Sequence, residues 1–431
     1  MRHIRRLLMV GPVVLACAAL SLLVSCDPLA IRTLIENMVA GAGARSWQGK
    51  ELLEDAGGAQ SPLVDMDDDG NAVAVWIDQA GVAALEAKVY APGSGWGALK
   101  QVATEFLNPP RLSMTAGGKV MITWAWLPGG MGNYQVHCVQ YAVSGGWSTN
   151  ALVGSDIPND CYWPDVAVSS GGEAHVVWGV NTTDKIEANH YESGSWEFGA
   201  STAPSIVVTG TDVRTPVVAM DDTNHAIAVW EDESQAPNKI MARRYDPGMG
   251  LWGTQVDLGG IIADMSDPVI AMAPVGRAVV AWRDASSHVL ARLYDVGWLG
   301  TQAAYIHFSG AAAGAGPEVA ANDNHVYWAI WESAGSIKVS LNKNGTWEPL
   351  ETVGSGTNPC IAVDENDAAI AVWEDGGSVK ARVYDPIQEA WEAAEDLSSG
   401  TGYNPHIAMS SDGKAIVVWD DGAKIWANRY E

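Results

Sequence analysis

Side chains able to do acid–base or ionic chemistry recur at one defined place in this 431-residue sequence. A proline stands at positions 62, 110, 164, 216, 268, 317, 359 and 405. The residue after it is in turn Leu63, Arg111, Asp165, Val217, Val269, Glu318, Cys360 and His406. Neighbouring positions are apolar or small, so the change of charge at this one stands out. Asp165 and Glu318 form the pair to test for general acid–base work on a glycosidic bond, a reaction that runs on two carboxyl groups. Just before the prolines come Trp163, Asp267, Asn358 and Asn404, with Tyr162 and Tyr403 one residue further out. Aromatic faces beside polar groups make a ligand pocket. The candidate binding set is therefore Arg111, Trp163, Asp165, Glu318, Asn358, Tyr403, Asn404 and His406. The plainer alternative is a polar lining wetted by solvent.

Other chemistry is thinner. Asp65, Asp67 and Asp69 alternate ahead of Gly70, as oxygen ligands do at the start of a calcium loop. A full loop of that kind needs a Glu at its twelfth position, where Trp76 stands here, so a hairpin turn with solvated carboxylates is the better expectation. No cofactor is expected otherwise: the histidines lack metal-ligand spacing, and neither a Gly-x-Ser-x-Gly elbow nor a glycine-rich phosphate loop before a helix occurs. Aspartates lie two residues after a recurring Trp at 78, 232, 284, 375 and 421, either as a ring of carboxylates or as turn caps. Cys138 and Cys161 are a candidate disulfide between adjacent units, or two small core residues.

The elements that position these residues follow from repetition. A Trp recurs at 76, 124, 178, 230, 282, 331, 373 and 419, fourteen residues after each proline, while the prolines themselves are 42 to 54 apart. The fixed fourteen marks a rigid unit and the remainder marks loop. Each unit has a short apolar run after the proline, a polar turn, and a second run apolar on both faces, such as Ala226–Trp230. That pattern is a strand buried on both sides. A third run carries Tyr90, Tyr141, Tyr191, Tyr245, Tyr294, Asn342, Tyr384 or Tyr430, and a fourth begins at a second Trp. Four short strands in about 50 residues, repeated eight times, predict an all-β, eight-bladed β-propeller with four-stranded blades.

Two details sharpen this. Six residues before each core Trp stands Gly70, Gly118, Gly172, Asn224, Gly276, His325, Asp367 or Gly413. These are the residue types that accept positive φ, so a left-handed residue should close each first hairpin. The eighth unit ends at Glu431 without its second Trp, while an isolated Trp47 precedes the first unit. The N-terminal strand should therefore complete the last blade and close the ring.

The blade order resembles that of WD-repeat proteins, with the innermost strand first and an outer strand shared for closure. Ser411-Asp412-Gly413 resembles the Asp-box turn of bacterial sialidases. The Trp spacing departs from the Asp-box pattern and no triad of arginines stands in site context, so the resemblance implies a fold and not a sialidase activity.

Location is legible at the N-terminus. Arg2, Arg5 and Arg6 precede the apolar run Leu7–Val24, which ends in Leu23-Val24-Ser25-Cys26. That ending resembles the lipobox of bacterial lipoproteins, which implies a signal peptide over 1–26, lipidation (palmitate included) of Cys26, a tether over 27–46 and the propeller over 47–431. The formal charge of −26 disfavours nucleic acid and anionic membrane surfaces as ligands, leaving membrane contact to the lipid anchor alone. The expectation is an exported, lipid-anchored, monomeric protein on the periplasmic or cell-surface side of a bacterial membrane. It would bind or scaffold a carbohydrate or protein ligand. The alternative is a glycan-active hydrolase or lyase on the same ring.

Overall fold

The computed structural model describes residues 45–431 apart from 56, 105–108, 128–131, 156–158, 182, 198–204, 210–211, 235, 260–263 and 300–315. Cys26 and residues 27–44 of the expected tether lie outside the described residues. Residues Trp47–Glu431 form one compact unit. It is all-β, with no helix among the described residues, and its sheets form the eight blades of a closed propeller.

Blade 1 shows the pattern. Its inner strand Ala59–Met66 pairs with Ala72–Asp78, which pairs with Ala84–Ala91. The outer strand comes in two pieces, Gly95–Trp96 and Lys100–Thr104, both paired with the third strand. The second strand is buried along almost its whole length, as expected of a strand covered on both faces. In blade 5 three strands and the Tyr294–Trp298 bridge are described. The eight first hairpins all carry the expected left-handed residue, including Asn224, His325 and Asp367 at φ 67°, 61° and 72°.

Core tryptophans Trp76, Trp124, Trp178, Trp230, Trp282, Trp331, Trp373 and Trp419 are at most 3% exposed. Each lies in an apolar cluster shared by two neighbouring blades; Trp76, for example, packs with Val64 of its own blade and with Val418 and Ile425 of blade 8. Truncating one to Ala would cost about 3–5 kcal/mol. The second tryptophan pairs across strands with the third-strand Tyr, as in Tyr90–Trp96, Tyr245–Trp252 and Tyr384–Trp391.

The seam repeats this pairing with residues from opposite ends of the chain. Trp47 bridges Tyr430, with ring centroids 5.2 Å apart. Strand Glu51–Glu54 adds to Ile425–Tyr430 as the outer strand of blade 8. Gln48 N–H donates to the Arg429 carbonyl at 2.9 Å, and Arg429 Nε meets Glu51 Oε1 at 2.7 Å. Leu53 is buried in the cluster between blades 8 and 1.

Candidate functional site

The constant fourteen-residue spacing has a structural cause. In blade 3, Tyr162 pairs with Gly179 and Asp165 with Val177, so Trp163 and Pro164 together oppose Trp178 alone. This is a β-bulge, two residues against one. The same shift occurs in blades 1, 4, 5, 7 and 8. A proline is tolerated there because the bulge leaves its position out of the hydrogen-bond ladder. The core Trp stands directly opposite, which locks the two together in sequence.

The first bulge residue is left-handed. Ser61, Trp163, Thr215, Asp267, Asn358 and Asn404 have φ between 44° and 54°. For Asn this is an accessible conformation; for Trp163 and for β-branched Thr215 it is strained. Strain of this kind persists only where the surroundings enforce it. It turns the residue before each proline toward the axis.

The repeat prolines of all eight blades, the six bulges among them, line a single cavity of about 530 Å³ at the mouth of the central channel. Of the expected binding residues, Arg111, Trp163, Glu318, Asn358, Asn404 and His406 are in its wall. Tyr403 is 39% exposed outside that wall, one residue beyond Asn404. Asp165 is turned away from the cavity: its Oδ2 accepts the Val218 N–H of the next blade at 2.8 Å, and its Oδ1 faces Arg111 Nε at 3.7 Å. The proposed acid–base pair is therefore divided between blades 3 and 6, with Glu318 alone in the wall.

Ionisation is uneven around the mouth. Glu318 is exposed at the cavity wall, and desolvation by the surrounding protein pushes its carboxyl up to about 7, against a smaller pull downward from Arg111. Asp165 is also raised by burial, with Arg111 opposing. His406 is pushed down to about 4 by burial and then by Arg111. It is neutral at physiological pH, and its Nδ1 accepts the Val64 N–H at 3.4 Å, so the ring proton sits on Nε2. Burial lifts the Cys360 thiol to about 12, which leaves it un-ionised and a poor nucleophile.

Trp163 is the prominent aromatic. It is 39% exposed, and its ring lies over Gly179, where an added Cβ would come within 3.2 Å of the indole. Gly179 thus makes room for the indole to lie against the blade. Tyr162 and Tyr134 continue the aromatic surface at centroid separations of 5.7 and 5.1 Å.

Sequence reasoning missed a supporting ring of acids immediately after the core Trp. Glu231 accepts the N–H of left-handed Asp267, Glu374 that of Asn404, and Asp420 that of Ser61. Each acid caps a bulge on the next blade. The Trp-Glu and Trp-Asp dipeptides were the available signal. Where the next bulge begins with Pro109, which has no N–H, the matching residue is apolar Ile77. Asp267 in turn bonds Arg283.

The remaining expectations resolve locally. Asp65 accepts the N–H groups of Met66 and Met114, and Asp67 accepts those of Asn71. Their oxygens serve backbone and turn, Asp69 adds no convergent ligand, and among the described residues no three His, Cys, Asp or Glu side chains gather as a metal site would. Asp78, Asp232, Asp284 and Asp421 accept N–H groups two residues on, as turn caps do. Cys138 and Cys161 pack in one apolar cluster as buried thiols, not bonded to each other. They act as small fillers there, which corrects the candidate disulfide.

Fold and site together define the class: an eight-bladed β-propeller with a proline-ringed cavity at its channel mouth that carries polar side chains and the Trp163 indole. No protein-family model and no curated protein matches the sequence. Solved structures do match. An ulvan lyase of a new polysaccharide lyase family, bound to -[GlcA(1-4)Rha3S]-, aligns with TM-score 0.52 at 7% identity over 88% of this chain and 95% of its own. The BP39L lectin from Burkholderia pseudomallei aligns with TM-score 0.53 at 10% identity over 79% of this chain and 99% of its own. At these identities the likeness is one of fold.

Proposed function

We propose that this protein is a carbohydrate-binding propeller whose channel mouth is the ligand site. The observation that carries the reading is Trp163. The chain holds it in a strained left-handed conformation, over a glycine, with its indole partly exposed in the wall of a cavity that also carries Glu318, Asn358, Asn404 and His406. Exposed indoles beside amides and carboxyls suit pyranose rings, which have an apolar face and hydroxyl edges. Asn358 and Asn404 supply amides, and Glu318 and neutral His406 supply hydrogen-bond donors. Carbohydrate chemistry in a lectin and a lyase of comparable fold supports this by analogy.

The proposal extends to location. The lipobox-like Leu23-Val24-Ser25-Cys26 supports export with a lipid on Cys26, the tether 27–46 holding the propeller domain 47–431 off the membrane. A Cys26→Ala variant should lose metabolic labelling with palmitate; unchanged labelling would remove the anchor.

The experiment for the site is a glycan array with the full-length protein in detergent, beside Trp163→Ala. Affinity for whichever glycan binds should fall on the order of tenfold to a hundredfold. Unchanged affinity would place the ligand elsewhere. A second reading, cleavage by a glycan-active enzyme, has one observation behind it: Glu318, held near neutral pH, is poised as a proton donor. Turnover in a polysaccharide panel, abolished by Glu318→Gln and not by Asp165→Ala, would favour it.

A further inference from the structure

Arg111 is the one Lys or Arg among the described residues lining the cavity. Its side chain is 49% exposed, and its ion partner is Asp165, reached through Nε at 3.7 Å, longer than a hydrogen bond. Other arginines near the bulges are committed. Arg283 bonds Asp267 through both Nε and Nη2, and Arg214 is held between Asp212 and Glu233. Asp165 is itself fixed by the Val218 N–H and reaches Arg111 only at Nε, so the half-exposed guanidinium in the cavity wall has its two Nη groups outside that ion contact. A guanidinium offered in this way matches an acceptor with two oxygens, a carboxylate or a sulfate ester.

We propose that the channel mouth selects an acidic glycan, with the anionic group of one sugar residue on the Arg111 Nη edge and the ring of a neighbouring sugar on Trp163. This rests on the channel-mouth reading and adds the substrate class. The surroundings sharpen the selection. The chain carries a formal charge of −26, so a polyanion is repelled from most of its surface and docks where a cation is presented. Val217 and Val269, at the equivalent bulge positions of blades 4 and 5, also line the cavity and offer no competing charge. Glu318, on blade 6, changes sign of effect with pH. Ionised above about 7, it repels the ligand's anion; protonated below, it donates a hydrogen bond. Asp165 and neutral His406 stand beside Arg111, the un-ionised Cys360 thiol faces Glu318, and Asp267, paired with Arg283, is the other carboxylate in the wall.

The test compares binding of three matched oligosaccharides by the full-length protein in detergent: oligogalacturonate, neutral oligogalactose and sulfated oligogalactose. At least one acidic probe should bind ten times more tightly than the neutral one at pH 6, and carboxylate against sulfate identifies the anion. Arg111→Gln should erase that preference by weakening the acidic probe at least ten times more than the neutral one. Arg111→Lys, which keeps charge without the fork, should restore only part of it. The acidic probe should weaken between pH 6 and 8 in the parent, and not in Glu318→Gln. Equal binding of acidic and neutral probes, or an Arg111→Gln variant with its preference intact, overturns the inference and leaves the channel-mouth reading standing. Binding of all three unaltered by Trp163→Ala, or no binding of any, overturns both.

Discussion

Thr215 and Trp163 hold the same backbone conformation as Asn358 and Asn404, yet only the asparagines do so comfortably. The β-carbon substituents of Thr crowd the left-handed region, whereas a short amide is accepted there. Thr215→Asn should therefore raise stability by about 0.5–1 kcal/mol, seen as a higher urea midpoint with an unchanged slope. The opposite logic applies to Trp163, whose strain is retained because the indole is used. The charged residues after three of the prolines, Arg111, Asp165 and Glu318, were legible because they break an otherwise apolar pattern. The left-handed turn before each proline was not, since a residue preceding proline normally prefers extended backbone. Asp165 lies outside the cavity wall for a separate reason. Its place in the repeat is the same as that of Glu318, but the Val218 N–H of the next blade draws its carboxylate away from the mouth.

At the level of strands, the blades are joined by polar bonds as well as by packed indoles. Asp420 is 2% exposed and serves the N–H of Ser61, Nδ2 of Asn404 and the N–H of Gly422. Asp420→Ala would strand these donors and should cost about 1–3 kcal/mol in unfolding free energy. Between blades 3 and 4, His175 and His190 stack at 4.4 Å, enclosed by Tyr245 and Trp252, with Glu173 3.6 Å from His190 Nε2. Burial, reinforced by His190, holds His175 well below its ordinary value. The folded protein keeps the ring neutral, while the unfolded chain takes up a proton as pH falls below about 6.5. Stability is thus full above that pH and is lost on acidification. Glu318 and Asp65, raised to about 7 and about 6, act with the opposite sign, since their ionisation is penalised as pH rises from about 4. His175→Phe should therefore reduce the drop in thermal midpoint between pH 7 and 5, whereas Glu318→Gln should not. The strand pattern itself was visible from the period of the apolar residues and from the turn six places before each Trp. The capping acids were not, because their partners lie some 30 to 360 residues away in the chain.

The ring as a whole depends on its seam. Eight equal units in a sequence specify a repeat but not whether it closes. The displaced Trp47 decided that question, since an open array has no reason to divide one unit between both ends. Removing residues 45–55 would take away Leu53, the Glu51–Arg429 pair and the Trp47–Tyr430 contact, and would expose Ile425–Tyr430 as an unpaired edge. Such a variant should melt at lower temperature and form higher-order species in size-exclusion chromatography at concentrations where the parent does not. Closure also brings the eight repeat prolines around one opening, so that a site legible only as scattered residues becomes one cavity.

The seam is held by hydrogen bonds and side chains, with no covalent join where blade 8 meets its borrowed strand. Nothing in such a ring privileges the place where the polypeptide starts. A gene re-cut in the turn after Trp252, with a short glycine-rich bridge from Glu431 to Trp47, should yield a circular permutant with the same propeller and an uninterrupted last blade.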